Sequence, residues 1–131
     1  MLKLQTLRSA HDLDRLRSRW SWLEGQCDCT LFQSYELNRK AANWFASRET
    51  PHVILAESES GMAIIPAVRR ERELGLIGET LFDYRDVLSA GDSGVLEHAW
   101  RELALLGVSL EVTALRGCET RARWGSLQPI E

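Results

Sequence analysis

Between His52 and Ala90 the chain is a succession of short apolar runs separated by turn-forming or charged residues. His52–Glu57 predicts a strand, Ser58–Gly61 a turn, Met62–Arg69 a second strand, Arg70–Glu73 a charged corner and Leu74–Leu81 a third strand. Three strands joined by short turns make an antiparallel meander. Ser60-Gly61 is a hairpin turn signal. Pro66 has no N–H to give a ladder, so the second strand is expected to be an edge or to carry a bulge there. Gly75 and Gly78 weaken the third strand and predict bends, and Val87–Ser89 is apolar enough for a short fourth strand.

Outside this stretch the apolar spacing changes to that of helices. Leu2, Leu4 and Leu7 first mark a short half-buried strand. Ser9 is then a candidate N-cap, and Leu13, Leu16, Trp20 and Leu23 form one face of a helix from His11 to about Glu24, with Gly25 expected just past its end. Ser34 caps a second helix whose buried stripe is expected to be Leu37, Ala41, Trp44 and Phe45, ending near Ser47 before a turn at Glu49-Thr50-Pro51. Asp92 or Ser93 caps a third helix with Val95, Leu96, Ala99, Trp100, Leu103 and Leu106 on its apolar face. Gly107 stops it, and Val108–Leu115 alternates as a strand. The order is β-α-α-β-β-β-(β)-α-β. It predicts an α/β (α+β) fold: a mixed, mostly antiparallel sheet flanked by helices in two or three layers, in a single domain 1–131. The third helix is the one candidate for a right-handed crossover between strands. The tail Arg116–Glu131 carries no clear element beyond a short helical start near Arg121, Arg123 and Trp124.

Composition narrows the function classes. A chain of 131 residues buries about 68% of its unfolded surface in one core. The net charge of −3 removes the electrostatic case for nucleic acid. No apolar run reaches the roughly 18 residues that span a bilayer, and no signal-peptide core follows Met1, so a cytoplasmic location without membrane insertion is expected. Cys27, Cys29 and Cys118 are an odd set without the paired spacing of a zinc site, so neither a disulfide framework nor a metal centre is expected.

Candidate chemistry is concentrated in Phe82-Asp83-Tyr84-Arg85-Asp86, where one strand leaves the sheet and another begins. Asp83 or Asp86 would serve as a base or hold Arg85, and Tyr84 would position a substrate group. A surface loop with an Arg85–aspartate pair is the plain alternative. Arg69, Arg70 and Arg72 alternate with Glu71 and Glu73, which reads either as an anion-binding corner or as a self-neutralising hairpin end. His11, His52 and His98 lie on unrelated elements, with His98 on the exposed side of its helix. Trp20, Trp44 and Trp100 match buried stripes, whereas Trp22 falls off its stripe and marks a candidate domain or subunit contact. Gly75-x-x-Gly78 lies inside a strand, so it fails as a phosphate loop.

Taken together, Trp20-Ser21-Trp22-Leu23, Leu31-Phe32-Gln33-Ser34 before a helix with Trp44, the Ala63–Arg70 strand with its proline and arginines, and Phe82–Asp86 followed by a helix and strand resemble a known family. That family is the N-terminal lobe of GNAT-type acyltransferases of the FemAB-like and CelD-like (cellulose biosynthesis) group, over about residues 1–115. The resemblance implies a GNAT-like sheet and transfer of an acyl group from acyl-CoA to an amine or hydroxyl. Asp83, Tyr84, Arg85 and Asp86 would then face the acceptor. The family's pyrophosphate loop is a glycine turn into a helix, and Arg116-Gly117-Cys118 lacks its second glycine. The chain alone is therefore expected to bind no cofactor and not to catalyse. Acetyl-CoA or another acyl-CoA would belong to a second GNAT-like lobe. The alternative is a non-catalytic interaction module of the same fold, pairing with another subunit or with itself.

Overall fold

A computed structural model describes residues 1–27, 31–71, 73–78 and 87–106, and the backbone of 109–110. Its strands are β1 (Lys3–Leu7), β2 (Thr50–Pro51), β3 (Val53–Ser58), β4 (Gly61–Ile65), β5 (Ala67–Arg70), β6 (Glu73–Leu76), β7 (Leu88–Gly91) and β8 (Ser109–Leu110). The helices are α1 (Arg17–Gln26), α2 (Tyr35–Trp44) and α3 (Ser93–Ala104). Strands β1-β3-β4-β7 form one antiparallel sheet and β2-β5-β6-β8 a second, in which only β6 and β8 run parallel.

Both faces of the first sheet are covered, so its central strands are apolar on both sides. Val53, Leu55, Ile64 and Leu88 face Leu13, Leu16, Trp20 and Leu23 of the α1 region and Ala41 of α2. Ile54, Ala56, Ala63 and Ile65 face Leu96, Ala99, Trp100 and Leu103 of α3. The result is three layers, helices–sheet–helix.

The two sheets are halves of one long hairpin. The pairs Thr50↔Arg69 and Pro51↔Val68 continue the register of Ile54↔Ile65. Pro66 breaks the strand in the middle because it has no N–H to donate. The expected bulge is thus a change of sheet. Gly78, with φ 79, turns the chain after β6.

Local chemistry explains most helix boundaries. The Ser9 Oγ accepts from the Asp12 N–H at 3.0 Å, but His11–Leu16 forms a 3-10 helix before α1. The Leu13 N–H is shared between the Ser9 and Ala10 carbonyls, which tightens this first turn. Ser34 caps α2 by accepting from the Leu37 N–H at 3.2 Å. Asp92 caps α3 by accepting from the Gly94 N–H at 2.9 Å.

Several expected details are corrected. Gly25 lies inside the last turn of α1, which ends at an extended Cys27. Thr50–Pro51 is a short strand, because β5 extends far enough to pair with it. Trp44 is 59% exposed rather than core. The buried face of α2 is Tyr35, Asn38, Ala41 and Ala42. Asn38 turns inward because its amide donates to the carbonyls of Phe32 and Ser34, at 3.0 and 2.8 Å. At about 100° per residue that rotation moves Trp44 into solvent. Strand β7 runs past the expected Val87–Ser89 to include Ala90 and Gly91. Helix α3 joins β7 of one sheet to β8 of the other, so it is not a crossover within a single sheet. Of the Val108–Leu115 strand, Ser109–Leu110 is seen; the rest of it and the tail lie outside the described residues.

Candidate functional site

Strands β6 and β7 both pair with the strand that runs through β4 and β5, but in different registers. From Ala67 to Ile64 this inner strand advances three residues, while their partners Leu76 and Leu88 are twelve apart. Asp83, Tyr84, Arg85 and Asp86, which lie between these two partners in sequence, are outside the described residues.

The described residues on either side of this segment are held by hydrogen bonds. At the start, the Ile77 N–H donates to the Pro66 carbonyl at 2.8 Å. At the end, the side-chain amide of buried Gln33 donates to the Val87 carbonyl at 3.0 Å. The Trp20 indole in turn donates to the Gln33 main-chain carbonyl at 2.9 Å. A tryptophan of α1, a glutamine of the turn before α2 and the residue after Asp86 thus form one connected wall. The polar atoms of such a buried wall are costly unless paired, which fixes its geometry.

A second polar cluster touches the first through an edge-on contact of Trp20 with Tyr35, ring centres 5.8 Å apart. The Tyr35 hydroxyl donates to Asp14 Oδ1 at 2.5 Å, and Arg39 Nε donates to the same oxygen at 2.9 Å. These hydrogen bonds hold the Asp14 carboxyl below the usual carboxylate range. Burial, reinforced by Asp14, pushes the Tyr35 hydroxyl up to about 12. The Glu24 carboxylate accepts from the Tyr35 N–H at 2.9 Å, and Arg17 lies over the Tyr35 ring at 5.8 Å. A phenol held protonated in this way is a poor base at neutral pH. The cluster ties α2 to the α1 region.

The charged corner resolves as ion pairing. Arg70 meets Glu49 at 2.7 Å and Glu73 at 3.6 Å, so its positive charge is neutralised at the hairpin end. Arg69 is exposed, and Arg72 lies outside the described residues. His11 and His98 are exposed, whereas His52 is buried. The Cys27 thiol is directed at the Leu23 carbonyl at 3.0 Å; Cys29, Cys118 and Trp124 lie outside the described residues. Among the described residues no group of three His, Cys, Asp or Glu converges to hold a metal, and no helix is long and apolar enough to cross a membrane.

Trp22 is 51% exposed and borders a shallow concavity of about 330 Å³ with Gln26, Ser58, Ser60, Met62 and Gly91. Sequence reasoning singled out Trp22 but not Gln33 or the Asp14–Tyr35–Arg39 cluster. Gln33 precedes a helix cap and gives no periodic signal; Asp14 and Tyr35 are brought together only by helix packing. No protein-family model matches the chain, and no match is found among curated proteins or solved structures.

Proposed function

We propose that this chain is a GNAT-like lobe of a FemAB-like or CelD-like acyltransferase, in which Asp83, Tyr84, Arg85 and Asp86 line the acceptor side. The observation that supports this reading is the buried Trp20–Gln33 wall, whose Gln33 amide donates to the Val87 carbonyl directly after Asp83–Asp86 in sequence. The residue that follows the cluster in sequence, Val87, is thereby held against the helical layer. Acceptor binding needs such a mounting, because loops on a rigid scaffold present side chains without distorting the core. The carboxylates would hold an amine or hydroxyl and accept its proton, and Tyr84 would orient it. The thioester donor would sit on a second lobe. In this chain the N-terminus of α3, where backbone N–H groups attract phosphate in other proteins, is filled by its own Asp92 carboxylate.

The test is direct. A ligand that binds only the folded state at about 100 times its Kd stabilises it by about 2.7 kcal/mol. The chain alone should show no rise in melting midpoint with millimolar acetyl-CoA and should release no free CoA. A clear rise, or CoA release with an amine present, would show that the donor site is in this chain.

A second reading, a non-catalytic interaction module, is favoured by the exposure of Trp22 beside its concavity, since large aromatics are enriched at interfaces. Light scattering separates it: self-association abolished by Trp22→Ser supports the module, and a strict monomer counts against self-pairing.

A further inference from the structure

His52 is the residue between β2 and β3, at the bend of the long hairpin where the chain passes from one sheet to the other. Its N–H donates to the Ala67 carbonyl at 2.8 Å, across from the break at Pro66. The Pro66 carbonyl accepts from the Ile77 N–H, just after β6. The histidine is 7% exposed. Arg8, just after β1, and Arg69 of β5 act on it with positive charge, and Glu102 of α3 with negative charge. Among the described residues no hydrogen bond to its ring is present.

We propose that His52 is an acid-sensitive wedge: protonation of its imidazole loosens the bend between the two sheets and frees the Ile77 N–H from the Pro66 carbonyl. A cation formed there would be buried beside two arginines and opposed by one carboxylate. Burial first, then Arg8 and Arg69, lower the pKa of the ring below the ordinary histidine value, with Glu102 partly opposing them. Unfolded histidine titrates near 6.5. Below that value the unfolded or opened chain holds more protons than the closed one. Closure is therefore fully stabilised above about pH 6.5 and weakens as pH falls toward the lowered pKa. This device is independent of the acyltransferase reading and stands if that reading fails.

The test is amide hydrogen exchange read by NMR at about pH 7 and about pH 5.5, corrected for intrinsic rates. One proton gained on opening allows at most about a tenfold loss of protection per pH unit below 6.5. The His52 and Ile77 amides should lose protection severalfold to tenfold, and Leu55 and Ile64 in the sheet centre should lose less. His52→Gln should abolish the difference. Should that variant fail to fold, Arg69→Gln in the His52 background should shrink it, because one opposing charge is gone. An equal loss at all four amides, no loss at any, or an undiminished loss in a folded His52→Gln protein would overturn the proposal.

Discussion

Gly91→Ala tests how tightly the β3–β4 hairpin locks onto β7. Gly91 has φ +85, and a Cβ there would lie 2.3 Å from the Ser60 oxygen and 2.8 Å from the Gly61 Cα. Both are backbone atoms of the facing strand, so no side chain can rotate away. The left-handed backbone costs an alanine about 1–2 kcal/mol. Relief of the overlap requires the strands to part. That weakens the Asp92 N–H to Ser60 carbonyl bond of 2.8 Å, for about another 1 kcal/mol. A loss of about 2–3 kcal/mol follows, or roughly 8–12 °C in midpoint at about 4 °C per kcal/mol. Gly25→Ala is the matched control with opposite sign. It lies exposed in the last turn of α1, with nothing within 4 Å of its would-be Cβ. Alanine there should add about 0.5–1 kcal/mol by restricting the unfolded chain and favouring helix. Paired thermal melts by circular dichroism decide the matter. A Gly91→Ala midpoint within about 2 °C of the parent, or a Gly25→Ala midpoint below it, would refute the packing described.

The other predictions address the helical layer and the wall. Trp20→Ala should cost about 3–5 kcal/mol, whereas Trp22→Ala and Trp44→Ala should each stay within about 1 kcal/mol, as urea melts would show. Gln33→Ala should cost about 1–3 kcal/mol through its lost bond to Val87. The Trp20 indole N–H should keep its NMR position in that variant, because its acceptor is the main-chain carbonyl of residue 33. In alkali, Tyr35 has a folded pKa raised to about 12. Its contribution is therefore complete below an unfolded value of about 10 and is lost as pH rises through 12. Absorbance at the phenolate band should show a late ionisation step that disappears in Tyr35→Phe.

The strands were the most legible part of the chain, because the Val53–Ala56 and Ala63–Ile65 runs are apolar on both faces and are bounded by turn signals. The helix caps Ser34 and Asp92 were equally plain, since capping is a local interaction. Pro66 announced a disturbance, but its outcome, a strand shared between two sheets, depends on which strands pair with each half. That is a tertiary choice with no local signal. Trp44 misled because an apolar stripe was drawn through the largest side chains, while the buried amide of Asn38 rotated the helix. The Asp83–Asp86 segment was legible as a cluster. What mounts it, Gln33 reaching Val87 across 54 positions of sequence, was not.

The central proposal is that Asp83–Asp86, which precede the wall-bound Val87 in sequence, bind the acceptor. Ethanolamine carries both an amine and a hydroxyl and serves as a minimal acceptor probe. Its titration into isotopically labelled protein, followed by amide NMR, should move signals of Asp83–Asp86 and of the flanking Val87 and Gln33. A protein bearing Asp83→Asn and Asp86→Asn should show no such movement. Shifts scattered elsewhere, no shifts at all, or unchanged shifts in the double variant would contradict the account.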